Sequence, residues 1–160
     1  FRLTPRIADY LIARLQDLLA EDLSLMITVS RRTPKALCDR LAETLGAHQR
    51  VWLFDGEGEN PYFAFLAAAD WIFVTEESTN MLVEASATGK PVYALPMDGE
   101  AGKFTRLHAA LEGRGAMRPW LGRLEKWSYI PLAETERAAG LLIDRWHRET
   151  SSPTLSGEAA

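Results

Sequence analysis

The chain has 160 residues, of which 47% are hydrophobic and 25% are charged, and its formal net charge is −4. Such a composition allows one globular domain with a core and argues against a protein that binds nucleic acid through positive charge. The apolar runs are too short to cross a bilayer, no secretory pattern opens the sequence, and the single cysteine excludes an internal disulfide. We therefore expect no transmembrane segment, no nucleic-acid partner and a cytoplasmic location, either free or peripheral to a membrane.

Helical periodicity and short apolar runs alternate along the chain. The first helix is predicted to have Thr4 as its N-cap and Pro5 at its first position, and the second to begin at Thr33 as N-cap and end at Gly46. Strands are predicted at 23–29, 50–55, 71–75 and 91–95, with a weak strand at 128–132. Further helices are predicted from 61, at 79–89, at 102–113 and at 133–149, with an irregular stretch at 113–127.

Strands that are continuously apolar and alternate with helices are typical of a parallel sheet covered on both faces. The sequence therefore predicts an α/β fold, doubly wound, with a mainly parallel sheet flanked by helices. We expect residues 1–148 to form this Rossmann-like domain. The small, polar segment 149–160 is predicted to be a disordered tail.

Polar residues gather after the predicted strands. The loops at 30–33, 55–60, 75–80 and 96–103 each carry groups that can bind a phosphorylated, hydroxylated ligand. No loop that leads from a helix back to a strand is comparably polar. Ligands of such sheets bind outside the carboxyl ends of the strands, so the pattern predicts a binding site at this edge.

Each candidate has a structural alternative. Arg31 and Arg32 stand just before a helix start, where a bound anion would offset their unfavourable position at the positive end of the helix dipole, or where they are simply solvated. Ser78 and Thr79 are either helix caps or, with the backbone N–H groups beside them, a cradle for a diphosphate.

On the next helix, Glu84 lies four residues after Asn80, so both share one side. Glu84 either binds ribose hydroxyls or is a solvated surface residue. His108 falls on an apolar helix side and is interpreted as a core histidine with a satisfied hydrogen bond. The chain carries no metal-ligand spacing, nucleophile elbow, Walker loop or GxGxxG motif, so we expect no metal and no cofactor, and the catalytic residues stay unidentified.

Four motifs occur in an order that identifies a family: "SRRTP", "NPY" leading to "AD", "VTEESTNMLVEASATGKPVY" and "GKFTRLHAAL". Over roughly residues 1–148 the chain resembles the mitochondrial-fission ELM-type family of plants and many bacteria, whose members are also labelled nucleoside-diphosphate-sugar enzymes. That family in turn resembles the carboxyl-terminal, donor-binding half of GT-B glycosyltransferases. There, a helix with the pattern Glu-Ala-x-x-x-Gly-x-Pro binds the nucleotide sugar, and here the pattern spans 84–91.

The resemblance implies a role for individual residues. Glu84 would hold the ribose, and Thr75, Ser78 and Thr79 would hold the diphosphate. Arg31 and Lys103 would neutralise the phosphate charge, with Ser30 beside them. Family members more usually have Asp where Glu77 stands. The complete predicted site comprises Ser30, Arg31, Arg32, Asn60, Thr75, Ser78, Thr79, Asn80, Glu84 and Lys103.

Two features depart from a GT-B enzyme. The amino-terminal domain is absent, and the sequence starts at a helix where such a domain normally opens with a strand that would be central in the sheet. We therefore expect an inactive fragment of a donor-binding half, whose partners are a nucleoside-diphosphate sugar and the missing amino-terminal domain, and whose gap in the sheet is tolerated, rebuilt or filled by another chain.

Two other functions stay open. The resemblance to plant members, which recruit a dynamin-like protein, implies a non-catalytic adaptor on the same scaffold. A nucleoside-diphosphate-sugar epimerase would need an acid or base near the sugar, for which His108 and Glu76 are the local candidates.

Overall fold

A computed structural model describes residues 1–30 and 32–150 of the chain. Within these ranges, helices and strands alternate as the sequence predicts. The helices are α1 (Pro5–Ala20), α2 (Lys35–Leu45), α3 (Tyr62–Ala68), α4 (Thr79–Ser86), α5 (Thr105–Gly113) and α6 (Glu134–Thr150). The strands are β1 (Leu25–Thr28), β2 (Val51–Phe54), β3 (Ile72–Thr75), β4 (Val92–Leu95) and β5 (Met117–Pro119).

All the strand pairs are parallel, and they form two open sheets. One sheet has the order β1-β2, with Leu25 opposite Val51, and the other has the order β3-β4-β5. In the described part of the chain, β1 and β3 are not paired with each other. The α/β class and the parallel direction of the strands are therefore confirmed, whereas the expected sheet is divided into two.

The larger sheet has a core on each face. On one face, Val92 and the α4 residues Leu82 and Ala85 are completely buried with parts of α3 and α5. On the other face, Leu18 of α1 packs with Tyr93 and a tryptophan that follows β5. The β3-β4-β5 sheet is thus covered on both sides, which explains its continuously apolar strands.

The smaller sheet has its own cluster. Ile12 and Leu19 of α1 and Leu37 and Leu41 of α2 are buried there against side chains of β1 and β2. Since α1 contributes Leu18 to one cluster and Leu19 to another, this helix spans both sheets.

The predicted start of α1 is confirmed, and that of α2 needs correction. Thr4 is the N-cap of α1, and its Oγ1 accepts from the N–H of Ile7. The N-cap of α2 is Pro34, and no side chain caps it. The hydroxyl of Thr33 instead accepts a 3.0 Å hydrogen bond from the N–H of Ser30 and so closes the preceding turn.

The last strand lies in a different segment from the one predicted. Residues 128–132 form no strand; they are held by single bonds, such as that from the Tyr129 hydroxyl to the carbonyl of Lys90. β5 lies in the stretch 113–127 that was predicted to be irregular. Met117 pairs with Val92 there and is 2% exposed, so it fills the core. The other residues of β5, Arg118 and Pro119, hide the strand pattern in the sequence.

The described part of the chain finishes with α6, which ends at Thr150 and has no buried residue. Residues 151–160 lie outside the described ranges, as does Arg31. Of the segment 149–160 that was predicted to be disordered, Glu149 and Thr150 belong to α6. The disorder of 151–160 stays a prediction.

Candidate functional site

A cavity of about 770 Å³ lies between the two sheets and reaches the polar loops at the carboxyl ends of β1 and β3. Its walls include side chains from both strands and from α1, α3 and the start of α4. The residues of the predicted site that line it are Ser30, Arg32, Thr75 and Ser78. The structure thus brings together three of the four loops that the sequence singled out, since Met97 of the loop at 96–103 also lines the cavity.

The hydroxyls expected to bind a diphosphate already have a carboxylate as their partner. Thr75 Oγ1 lies 3.0 Å from Glu77 Oε1, and Ser78 Oγ lies 3.3 Å from the same oxygen. Ser78 is the N-cap residue of α4, but its side chain makes no capping bond. The other carboxylate oxygen, Glu77 Oε2, is buried without a hydrogen-bond partner among the described residues. A diphosphate at this point would have to displace Glu77 from Thr75 and Ser78.

The loop after β1 is held by its own polar groups. Ser30 Oγ accepts a 3.1 Å bond from the backbone N–H of Arg32, and it lies 3.4 Å from the hydroxyl of Thr33. The Arg32 side chain is exposed and lines the cavity, so it is available to an anion. Arg31, the other predicted phosphate ligand, lies outside the described residues.

Glu84 is exposed on α4 and pairs with the tyrosine of the "NPY" motif, to which the sequence assigned no role. The hydroxyl of Tyr62 donates a 2.7 Å hydrogen bond to Glu84 Oε2. Burial, and then the hydrogen bond and charge of Glu84, raise the pKa of Tyr62, so this phenol stays a proton donor well above neutral pH. The Tyr62 N–H also bonds Asn60 Oδ1 at 3.0 Å, which links Glu84 through Tyr62 to another predicted site residue.

Tyr62 lines the cavity, whereas Asn60 and Glu84 are not among its lining residues. The signal for Tyr62 in the sequence is the "NPY" motif, in which it follows Asn60-Pro61 at the first position of a helix.

The remaining predicted residues that the structure describes do not line the cavity. Thr79 begins α4, and Asn80 is exposed one residue later. Lys103 is exposed in a short 3₁₀ turn, with its Nζ 5.1 Å from the ring centre of Phe104. That all ten predicted residues form one site therefore stays a prediction.

The groups considered for epimerase chemistry are both engaged. Glu76 Oε1 accepts a 2.7 Å bond from the N–H of Met97, and the Glu76 carbonyl is 2.8 Å from Nε2 of His108. The half-buried ring of His108 also packs near Phe1, with ring centres 5.9 Å apart. His108 therefore has a hydrogen-bond partner, as the sequence indicated, and it ties α5 to the loop after β3.

Over residues 1–30 and 32–150, no group of His, Cys, Asp or Glu side chains is arranged to hold a metal ion. Among the same residues, no helix has both the length and the apolar character needed to cross a membrane.

Comparisons with known proteins lead to the same family as the order of motifs in the sequence. The family model of mitochondrial fission ELM1 matches residues 1–146. Mitochondrial fission protein ELM1 of Arabidopsis thaliana is 35% identical over 136 residues, which cover 83% of this chain and 32% of that protein. The uncharacterized protein RP120 of Rickettsia prowazekii is 30% identical over 122 residues, which cover 72% of this chain and 34% of that protein. No solved structure gives a significant match.

The chain thus spans about a third of the length of the curated relatives that it matches. The family is assigned by the match of its model over residues 1–146 and, independently, by the identity to the Arabidopsis protein. The chain belongs to the mitochondrial fission ELM1 family.

Proposed function

We propose that this chain is the donor-binding half of a glycosyltransferase-like protein and binds a nucleoside-diphosphate sugar. The observation that carries the proposal is the meeting of Ser30, Arg32, Thr75 and Ser78 at one cavity beside the carboxyl ends of β1 and β3. Hydroxyls, a guanidinium and a helix start are the groups that bind diphosphates in α/β proteins. The cavity volume of about 770 Å³ is within the usual range for sites of small ligands.

In this proposal each part of the ligand has its own partners. Arg32, with Arg31 and Lys103, neutralises the diphosphate, which lies beside the positive end of the α4 dipole. Glu84 accepts hydrogen bonds from the ribose hydroxyls, and Tyr62 holds the carboxylate in place. The reaction is displacement at the anomeric carbon, with the diphosphate leaving group stabilised by these charges. The site for the acceptor, whose hydroxyl replaces the diphosphate, and the catalytic base that takes the hydroxyl's proton belong to a part of a longer parent protein outside this chain.

Glu77 competes with the diphosphate for the hydroxyls of Thr75 and Ser78. Its carboxylate occupies the hydroxyls of Thr75 and Ser78, and a second anion beside it would be repelled. Diphosphate binding therefore requires Glu77 to rotate away from Thr75 and Ser78.

The experiment is a thermal-shift titration of the chain and of a longer parent protein with UDP, GDP, CDP, dTDP and their sugars. We expect the unfolding midpoint to rise and saturate with one nucleotide, and this rise to be lost in Glu84→Ala. Glu43→Ala is the control, since Glu43 is an exposed glutamate on α2, away from the strand ends. Absence of any shift in the folded parent would contradict the proposal.

A second candidate function, a non-catalytic adaptor, is supported by α6. This helix has no buried residue, and it exposes a group of large apolar side chains to 55–69%: Leu141, Leu142, Ile143 and Trp146. A contiguous apolar surface of this kind marks a protein-interaction site. The titration separates the two candidates, because an adaptor would bind none of the nucleotides. Leu142→Glu would instead abolish binding of the adaptor to its partner.

A further inference from the structure

Helix α3 is bonded at both of its ends to the segment that holds the Glu-Ala-x-x-x-Gly-x-Pro pattern. At the start of α3, the Tyr62 hydroxyl donates to Glu84. At its end, the ammonium of Lys90 donates to the carbonyls of Leu66 and Ala67 at 2.8 and 2.5 Å. We propose that Lys90 is a positioning residue for the nucleotide site: it fixes α3, and α3 presents the tyrosine that orients Glu84. The pattern itself assigns no residue type to position 90.

α3 depends on its neighbours for a fixed position. It has seven residues, and an isolated helix of that length is not stable in water. Phe65 and Leu66 are buried and attach the helix to the core. Apolar contacts have no preferred direction, however, so they do not by themselves set how far the helix is turned or shifted along its axis. Hydrogen bonds are directional, and those at its two ends therefore decide where Tyr62 stands.

The carbonyls that Lys90 binds are among those that a helix leaves without a partner. The last C=O groups of an α-helix find no N–H within the same helix, and a cation beside them also offsets the negative end of the helix dipole. The carbonyl of Phe65 accepts from the N–H of Ala69, and the next two carbonyls accept from Lys90. Over residues 1–30 and 32–150 the ammonium makes no ion pair, so it serves α3 alone.

The turn after α4 holds Lys90 in place for this bond. Gly89 has a φ of +76°, a left-handed conformation in which the chain reverses after a helix. The N–H of Lys90 bonds Thr88 Oγ1 at 3.2 Å, and the Thr88 hydroxyl donates to the carbonyl of Ala85 on α4 at 2.6 Å. The backbone of Lys90 is thus fixed to the end of α4.

Glu84 and Lys90 therefore belong to one unit, α4 with its turn, and Tyr62 belongs to another, α3. Two bonded points fix both the rotation and the axial position of α3 against α4. Without the ammonium, only the bond from phenol to carboxylate would join the units here, between two groups that water can also solvate. The effect on ligand binding rests on the proposed function, whereas the effect of Lys90 on Tyr62 is measurable without a nucleotide.

The first test follows the Tyr62 phenol in the chain without ligand. The ¹³Cζ chemical shift of a labelled tyrosine reports the hydrogen bond of its hydroxyl, and Tyr62→Phe assigns the signal. We expect Lys90→Met to move this signal, at neutral pH, at least half of the way to its position in Glu84→Ala. Lys90→Arg keeps a cationic donor and should leave the signal near its original position.

Two control variants separate the ammonium from other effects. Lys35→Met removes an exposed ammonium that pairs with Asp39 on α2. Tyr129→Phe removes a bond to the carbonyl of Lys90 and leaves its ammonium in place. Neither should move the Tyr62 signal. Lys90→Gln gives the same comparison if Lys90→Met does not fold, because its amide is one atom shorter than the ammonium and cannot bond both carbonyls.

The second test asks whether Lys90 acts on the ligand through Tyr62. In the longer parent protein, we expect Lys90→Met to weaken binding of the preferred nucleoside diphosphate by about three- to tenfold, as Tyr62→Phe should. Because both substitutions free the same carboxylate, the double variant should lose no more affinity than the more affected single variant. Losses that multiply in the double variant would overturn the proposal.

The ligand-free signal also overturns the proposal if it does not change. The amide of Tyr93, inside the β3-β4-β5 sheet, reports by its slow hydrogen exchange that each variant is folded. An unmoved Tyr62 signal in folded Lys90→Met means that Lys90 does not position Tyr62. A moved signal in a protein that binds none of the nucleotides supports the link from Lys90 to Glu84 and contradicts the proposed function instead.

Discussion

The Tyr62 hydroxyl and Glu84 Oε2 are 2.7 Å apart, which joins the first residue of α3 to the exposed side of α4. Glu84 is the residue that would bind ribose, and it is otherwise a solvated carboxylate on a helix. The hydrogen bond fixes one oxygen of Glu84 and leaves the other free. Tyr62 is therefore a positioning residue for the proposed nucleotide site.

Tyr62→Phe should weaken binding of the preferred nucleoside diphosphate by about three- to tenfold, the usual value of one hydrogen bond. The reason is that Glu84 loses the donor that orients it. Isothermal titration calorimetry measures the change. Tyr129→Phe removes a hydroxyl that bonds the carbonyl of Lys90 and is the matched control. Equal affinities for Tyr62→Phe and the unsubstituted protein would show that Tyr62 does not position Glu84 for binding.

Glu77→Gln should tighten binding of the same nucleotide. Glu77 accepts from Thr75 and Ser78, and the amide removes the negative charge that competes with a diphosphate. We expect a gain of about fivefold at neutral pH, since one like charge nearby costs on the order of 1 kcal/mol. Glu59→Gln, in the exposed loop after β2, is the control. Weaker binding in Glu77→Gln would mean that Glu77 itself contacts the ligand, through the ribose or the sugar.

Gly89→Ala should lower the free energy of unfolding by about 1–2 kcal/mol. Gly89 has a φ of +76°, and an added Cβ would lie 3.0 Å from Cγ of Pro131. Gly113→Ala is the matched control: it lies at the end of α5 with open space around it, and there alanine should be neutral or stabilising by up to about 1 kcal/mol. Urea unfolding of both variants measures the difference. A loss in Gly113→Ala as large as that in Gly89→Ala would contradict the argument.

Asp98 should make the protein acid-sensitive. The hydroxyl of Thr4 and then the guanidinium of Arg6 hold the pKa of Asp98 below its ordinary value of 3.8. The unfolded chain therefore takes up a proton at higher pH than the folded chain. The stability that Asp98 contributes is present above about pH 4 and is lost as the pH falls through the lower pKa of the folded state.

Thermal unfolding between about pH 6 and pH 2 tests this dependence. Asp98→Asn should lower the midpoint at pH 6 and show a shallower fall with acid than the unsubstituted protein. Asp55→Asn, in the exposed loop after β2, should leave the acid slope unchanged. Parallel acid slopes for Asp98→Asn and the unsubstituted protein would contradict the role of Asp98.

Local signals in the sequence predict most of the fold. Thr4-Pro5 marks the start of α1, and the apolar runs locate four strands, because a buried parallel strand needs continuous hydrophobic residues. β5 is missed because only Met117 of its three residues is buried. The Thr33 hydroxyl turns to Ser30 instead of capping α2, which depends on loop geometry that the sequence pattern does not encode.

The site is less predictable from the sequence than the fold. The polar residues after β1 and β3 meet at one cavity because parallel strands end at the same edge. The pairing of Glu84 with Tyr62 and of Thr75 with Glu77 depends on how α3 and the start of α4 are placed, and single-residue patterns do not specify that placement.

Backbone amide chemical shifts report directly on whether the strand ends bind a nucleoside diphosphate. A ¹⁵N–¹H spectrum of the chain, and of the longer parent, would be recorded while UDP, GDP, CDP or dTDP is added. We expect saturable shifts for one of them, concentrated at Ser30, Ser78, Thr79 and Glu84 and absent in Glu84→Ala. Unchanged strand-end amides in the parent protein with all four nucleotides would contradict it.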